Sequence, residues 1–327
     1  MTATNTKNVM VIGKIHPAGQ DLLEARADVT VTHASPDDPN LADQVADVDG
    51  ILLRIYPIDR RLIDNAPKLV IVARHGVGYD TVDLDALTAR GIPLAVVGEA
   101  NSPTVAEHAL YLLLTVAKQG AAYDRAMRDD DWAFRETLAA TELGAKTLLV
   151  IGFGRIGTRV ARLGQAFGMD VQVLDPYVAD DAIEAAGCTP VAALGPALPE
   201  ADFVTVHTPL NDETRHMIGA AELAAMKSSA ALVNTARGGV IDEPALLAAL
   251  RDGAIRGAGL DVFDREPPDA DNPLFRLDNV VLSPHIAGIT AECMVRMSRT
   301  CAENVLGAFD GTLNPDNVVN KEVLTAR

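Results

Sequence analysis

Residues 146–175, KTLLVIGFGRIGTRVARLGQAFGMDVQVLD, constrain the chain more than any other stretch, because strand, glycine turn, helix and strand follow one another within it. Residues 147–151 are an unbroken β-prone run. Gly152, Gly154 and Gly157 then spell G-x-G-x-x-G, and Ile156, Val160, Leu163 and Phe167 recur at helical spacing. A second apolar strand, 171–174, runs into Asp175. The three glycines have distinct roles at this spacing, since Gly152 allows the tight turn, Gly154 the approach of a pyrophosphate, and Gly157 close packing of helix on strand. The helix start offers N–H groups and the positive end of the dipole to phosphates. Asp175, 23 residues after Gly152, is placed to accept hydrogen bonds from ribose hydroxyls and to repel a 2′-phosphate, which predicts NAD in preference to NADP. A glycine turn used only for packing is the alternative, and the agreement of strand, helix period and acid argues against it.

A chain of 327 residues has material for about two domains. With 45 acidic against 28 basic side chains its formal charge is −17, which disfavours nonspecific nucleic acid or anionic membrane as a partner. Cys188, Cys293 and Cys301 show neither a disulfide framework nor metal-ligand spacing, so no metal is expected and a reducing cytoplasm fits. The N-terminal apolar run is too short for a signal peptide, and the run at 111–117 is too short to span a membrane.

In chain order, residues 9–12, 20–26 and 29–32 read as a β-α-β unit without the glycine fingerprint, and 51–54 and 69–73 as further buried parallel strands. The loop Arg74-His75-Gly76-Val77-Gly78-Tyr79-Asp80 is either a cradle of backbone N–H groups for an anion or an ordinary turn. Ser102 as N-cap and Pro103 at the first position open a long helix to Lys118, where the chain is expected to pass from one domain to the next. Residues 119–142, with the only tryptophan, Trp132, break the α/β alternation and read as a subunit interface or a surface flap. Four later strands end on polar groups: 203–206 leads to His207, 231–234 to Arg237, 258–260 to Asp261 and 280–283 to His285. In an open parallel sheet ligands bind at the carboxyl ends of strands, so these groups converge on one edge. Residues 290–309 form a final amphipathic helix, after which the tail is expected to return to the first domain.

Hydride transfer to or from a hydroxyl carbon needs a base for the hydroxyl proton, a cation for the oxygen and a neighbouring carboxylate, and a group that fixes the base's tautomer. His285, Arg237 and Glu266 are the candidates in that order, although each alone could be a structural strand-end or surface residue. Together with their surroundings, VIGFGRIG with Asp175, VNTARGGVIDEPAL, GAGLDVFDREPP and LSPHIAG, the sequence resembles the NAD-dependent D-2-hydroxyacid dehydrogenase family, over nearly its whole length. The resemblance implies an α/β fold of two Rossmann-like doubly wound parallel-sheet domains, the cofactor domain (101–290) inserted into the substrate domain (1–100 and 291–327), with the active site between them. It implies catalytic roles for Arg237, Glu266 and His285, and cofactor contacts from Gly152, Gly154, Arg155, Ile156, Gly157, Asp175, His207, Thr208, Pro209, Thr235, Ala236, Asp261 and Gly288. Val77 and Gly78 match the family's cradle for the substrate carboxylate, Asn101 the residue that closes over it, and Arg54 and Arg74 the arginines that phosphoglycerate dehydrogenases set near a substrate phosphate. The expected activity is NAD-dependent oxidation or reduction of a small 2-hydroxy or 2-keto acid of phosphoglycerate type. A hydroxypyruvate or glyoxylate reductase is the alternative, and an NAD-sensing corepressor-like scaffold ranks below both. With Val319 so near its end, the sequence is expected to lack the regulatory C-terminal domains of longer phosphoglycerate dehydrogenases. A cytoplasmic homodimer is the expected form.

Overall fold

The computed structural model describes residues 6–325, and the backbone divides into two compact units, one made of residues up to Asn101 with those from Ile289 onward, the other of Ser102–Gly288. The first unit holds a five-stranded sheet of β1 (Lys7–Ile12), β2 (Val29–Ala34), β3 (Gly50–Leu53), β4 (Ile71–Arg74) and β5 (Leu94–Ala95), ordered β2-β1-β3-β4-β5. Every pairing is parallel. Side chains alternate between two buried faces: Met10 and Ile12 join one core, while Val9 and Val11 join the other with the Ala291–Asp310 helix. After that helix Val318 bridges to Ala95, which ties the tail to the same unit.

The second unit contains β6 (Thr147–Ile151), β7 (Asp170–Leu174), β8 (Thr189–Pro190), β9 (Phe203–Val206), β10 (Ala231–Asn234), β11 (Gly257–Leu260) and β12 (Val280–Leu282). Their order, β12-β11-β10-β9-β6-β7-β8, is again parallel throughout. Chain order reverses between β6 and β9, and in such a sheet that switch point is where a ligand crevice opens at the carboxyl ends. β6 fills the middle: Leu148, Leu149 and Val150 are 0% exposed and divide between the cores on the two faces. Each such burial contributes about 1.5–3 kcal/mol. The Ser102–Lys118 helix packs on β10, β11 and β12 through Ala109, Leu112, Leu113 and Val116.

The first helix spans Pro17–Glu24 rather than the expected 20–26, because His16 accepts the N–H of Ala18 and Pro17 supplies a preset φ at the first turn. β4 begins at Ile71, two residues beyond the predicted strand start, since Leu69 donates its N–H to the Ala66 carbonyl in the preceding turn. Residues 119–142 fold as the Gly120–Arg128 helix and a 3-10 segment, Trp132–Thr137. Among the described residues no helix is long and apolar enough to cross a membrane, and no group of His, Cys, Asp and Glu could hold a metal ion.

Candidate active site

The glycine turn joins β6 to the Gly157–Ala166 helix at the switch point. Gly152 has φ +93°, and a Cβ there would stand 2.7 Å from the His207 carbonyl oxygen, so the turn fits against the end of β9 only without a side chain. A Cβ on Gly157 would lie 1.9 Å from the Gly152 oxygen, whereas one on Gly154 would meet nothing within 4 Å. The turn is thus closed toward the protein at its first and last glycines and open outward at the middle one. Asp175 reaches back to it: Oδ2 accepts the Phe153 N–H at 2.7 Å and Oδ1 the Tyr177 N–H at 2.9 Å. No side chain caps the helix that Ile156 begins.

Two more strands end in groups that need a partner. Thr208 Oγ1, beyond β9, and Thr235 Oγ1, beyond β10, are enclosed and find no hydrogen-bond partner among the described residues, and the same holds for His207 Nδ1. Burial pushes His207 down to about 3, so the ring is neutral. Enclosed hydroxyls without partners are uncommon in folded proteins. With the open Gly154, the uncapped helix start and the half-buried Asp175 carboxylate beside the turn, these donors and acceptors fit a dinucleotide.

Past β10 the loop to Arg237 is clasped by Asn234, 1% exposed, whose Nδ2 donates to the Arg237 carbonyl at 2.9 Å while its Oδ1 accepts the Ala236 N–H at 2.9 Å. The Arg237 guanidinium donates to the Ala236 carbonyl at 2.7 Å. At Gly238 a Cβ would fall 2.0 Å from the Phe263 carbonyl carbon, so the arginine loop lies directly on the loop that carries Glu266. Glu266 accepts the Phe263 N–H through Oε1 at 3.1 Å, and its Oε2 stands 2.6 Å from His285 Nδ1. His285 has φ +52°, an uncommon conformation for a residue with a Cβ. The three proposed chemical groups therefore stand on loops at the carboxyl edge of one sheet.

Asp261, expected as a cofactor contact, follows β11 directly. It is 0% exposed, and its carboxylate accepts from Ser283 Oγ, Ile286 N–H and Ala287 N–H. Burial acts to raise its pKa, but the nearby His108 and hydrogen bonds from Ser283, Ile286 and Ala287 outweigh that and hold it below the usual carboxylate range. His108 and Asn234 were absent from the expected site residues.

Arg155, Pro209 and Gly288 belong to the second unit, and the expected substrate-binding residues to the first. Arg54 follows β3 and Arg74 ends β4, with its guanidinium donating to the His75 carbonyl at 2.8 Å. His75, 4% exposed, is pushed down to about 4 by burial, with the positive charges of Arg54 and Arg74 adding to the shift. Val77 and Gly78 follow directly. Asn101 is 7% exposed, and its Oδ1 has no partner among the described residues.

Comparison with known proteins bears on residues 110–287, which match the D-isomer specific 2-hydroxyacid dehydrogenase, NAD binding domain family. A glyoxylate reductase of Korarchaeum cryptofilum is 40% identical over 304 residues, 92% of this chain and 91% of that protein. A D-3-phosphoglycerate dehydrogenase of Methanocaldococcus jannaschii is 38% identical over 313 residues, 95% of this chain but 59% of that longer protein. Among solved structures, an NADPH-dependent glyoxylate/hydroxypyruvate reductase of Sinorhizobium meliloti in complex with NADP and malonate superimposes with a TM-score of 0.83 at 31% identity, covering 93% of each chain.

Proposed function

Because this chain belongs to the D-isomer specific 2-hydroxyacid dehydrogenase family and is a nicotinamide-dependent oxidoreductase, we propose that it interconverts a small D-2-hydroxy acid and its 2-keto acid, using NAD and an acid of phosphoglycerate type. The observation that carries this reading is the 2.6 Å pair of Glu266 and His285 at the carboxyl edge of a dinucleotide-binding sheet. An ionised Glu266 only accepts, so the shared proton sits on His285 Nδ1 and the lone pair is left on Nε2. In oxidation Nε2 takes the proton of the substrate hydroxyl, and Glu266 stabilises the imidazolium that forms. In reduction the same nitrogen returns the proton to the carbonyl oxygen. Arg237 presents a planar fork to the substrate carboxylate and the 2-oxygen. A bound nicotinamide dinucleotide supplies the hydride carrier. Val77 and Gly78 hold the substrate carboxylate through N–H groups, Asn101 closes over it, and Arg54 and Arg74 meet a phosphate.

The choice of NAD rests on Asp175, whose charge repels a 2′-phosphate. Glyoxylate or hydroxypyruvate reduction is the second reading, favoured by the 40% identity to the Korarchaeum glyoxylate reductase. We assign a homodimer to residues 119–142, where Met127, Trp132 and Leu138 are 58%, 64% and 83% exposed, and a reducing cytoplasm to a chain whose three cysteines are free and buried. Sedimentation that gives a monomer at micromolar concentration removes the dimer.

The deciding experiment follows NADH oxidation on 3-phosphohydroxypyruvate, hydroxypyruvate, glyoxylate and pyruvate, with wild type and Arg54→Ala side by side. If a phosphate is bound, loss of one charge-assisted contact lowers kcat/KM about ten- to a hundred-fold on the phosphorylated acid alone. Small, equal effects on all acids turn the reading to the reductase, and no oxidation with any of them overturns the proposal.

A further inference from the structure

Between the Ser102–Lys118 helix and the end of β12 lies a buried polar chain that the chemistry of hydride transfer leaves unused. Asp261 is wrapped by residues 283–287: Oδ1 accepts Ser283 Oγ at 2.6 Å and the Ile286 N–H at 2.9 Å, Oδ2 accepts the Ala287 N–H at 2.8 Å, and its own backbone carbonyl accepts the His285 N–H at 2.8 Å. The residue held at the centre of this wrapping is His285, in its left-handed conformation at φ +52°. A non-glycine residue keeps such a backbone only where its surroundings over-determine it. Behind the wrapping stands His108, its side chain 15% exposed, with Nε2 2.8 Å from Ser283 Oγ and 3.5 Å from Asp261 Oδ1. Proton bookkeeping assigns the directions. The ionised Asp261 only accepts, so the single hydroxyl proton of Ser283 goes to it; the Ser283 oxygen then accepts, and Nε2 of His108 carries the proton it receives.

We propose that His108 is a positioning residue for the reaction: by donating to Ser283 it fixes Asp261, and through Asp261 the left-handed turn that presents His285 to Glu266. This rests on the reading of His285 as the acid–base group. The hydrogen bonds of His108 reach neither His285 nor Glu266 directly, so its effect passes through Ser283 and Asp261.

His108→Leu removes the donor and fills much of the volume, His108→Gln keeps an N–H donor at similar reach, and Ser283→Ala cuts the next link. The expected result is a fall in kcat of about tenfold or more for His108→Leu with KM for NADH nearly unchanged, and recovery of most of it in His108→Gln. Ser283→Ala matches the loss, and the double variant loses no more than either single, because both act in one chain. Amide exchange across residues 283–288 speeds up in His108→Leu, which is read without any substrate. Wild-type kcat in His108→Leu, additive losses, a His108→Gln as poor as His108→Leu, or unchanged exchange each overturn the proposal. If His108→Leu does not fold, Ser283→Ala and His108→Gln carry the same comparisons. A His285→Ala enzyme that turns over normally overturns the acid–base reading itself, whereas a dead His285→Ala beside an unaffected His108→Leu overturns only the role of His108.

Discussion

At the scale of single residues, the site is a set of side chains whose freedom has been removed by neighbours that do no chemistry. Glu266 is held by the Phe263 N–H and faces His285; Asn234 clasps the loop of Arg237 from both sides. If His285 exchanges the proton, His285→Ala lowers kcat by about 10²–10⁴-fold while NADH still binds, since general acid–base help is worth that much. Stopped-flow binding of NADH beside steady-state turnover checks both halves, and a loss of binding equal to the loss of kcat contradicts the assignment. If Asp175 sets the choice of NAD by repelling a 2′-phosphate, Asp175→Ala narrows the preference for NADH over NADPH. A wild-type enzyme that used both equally would refute the role given to Asp175. His285 stood out in the sequence as a polar group at a strand end, and Glu266 was named through the motif GAGLDVFDREPP and the family resemblance. His108 was not, since a histidine on an apolar helix face reads as core, and what gives it a role is Ser283, 175 residues away.

At the scale of elements, the glycine turn separates two functions that the sequence pattern alone runs together. A methyl at Gly157 would be driven to 1.9 Å from the Gly152 oxygen, a backbone atom that cannot swing aside. Overpacking against backbone costs about 1–3 kcal/mol or more, so Gly157→Ala loses stability and, with it, activity. At Gly154 the same methyl meets nothing within 4 Å, and the φ there is not in the left-handed region. Gly154→Ala therefore keeps its melting temperature close to wild type but raises the Kd for NADH about tenfold or more, because the space the methyl enters is where a pyrophosphate needs the backbone bare. Calorimetry with titration of NADH checks the pair. Equal destabilisation by both would mean that the turn is packing alone. Parallel strands follow from apolar runs ending in polar groups and were readable, though their order in the sheets was not; Leu94–Ala95, inside the apolar run 92–97, was not read as a strand, and Thr189–Pro190 carries no such run and pairs only at the edge beside β7.

For the whole molecule, part of the acid sensitivity of stability comes from histidines that the fold keeps neutral, one in each unit. His75 is pushed down to about 4 and His207 to about 3, both chiefly by burial, while an unfolded chain protonates histidine near 6.5. Above that value neither state binds the proton and nothing changes. Between about 6.5 and 4 the unfolded chain takes up protons that the folded one refuses, so stability falls as pH falls, by up to about 1.4 kcal/mol per pH unit for each histidine. Asp261 acts in a different window: held below its usual range, it contributes stability above the ordinary carboxylate value and loses it only at still lower pH. As pH falls below 6, His75 and His207 lower stability, while Asp264, held above its usual range by burial and the Glu243 charge, works the other way. Urea unfolding at a series of pH values should give a slope that loses about one proton in His75→Leu, where a buried ring is replaced by a side chain with nothing to titrate. A His75→Leu protein with the wild-type slope would show that His75 takes its proton as readily folded as unfolded, which its burial at 4% exposure beside Arg54 and Arg74 argues against.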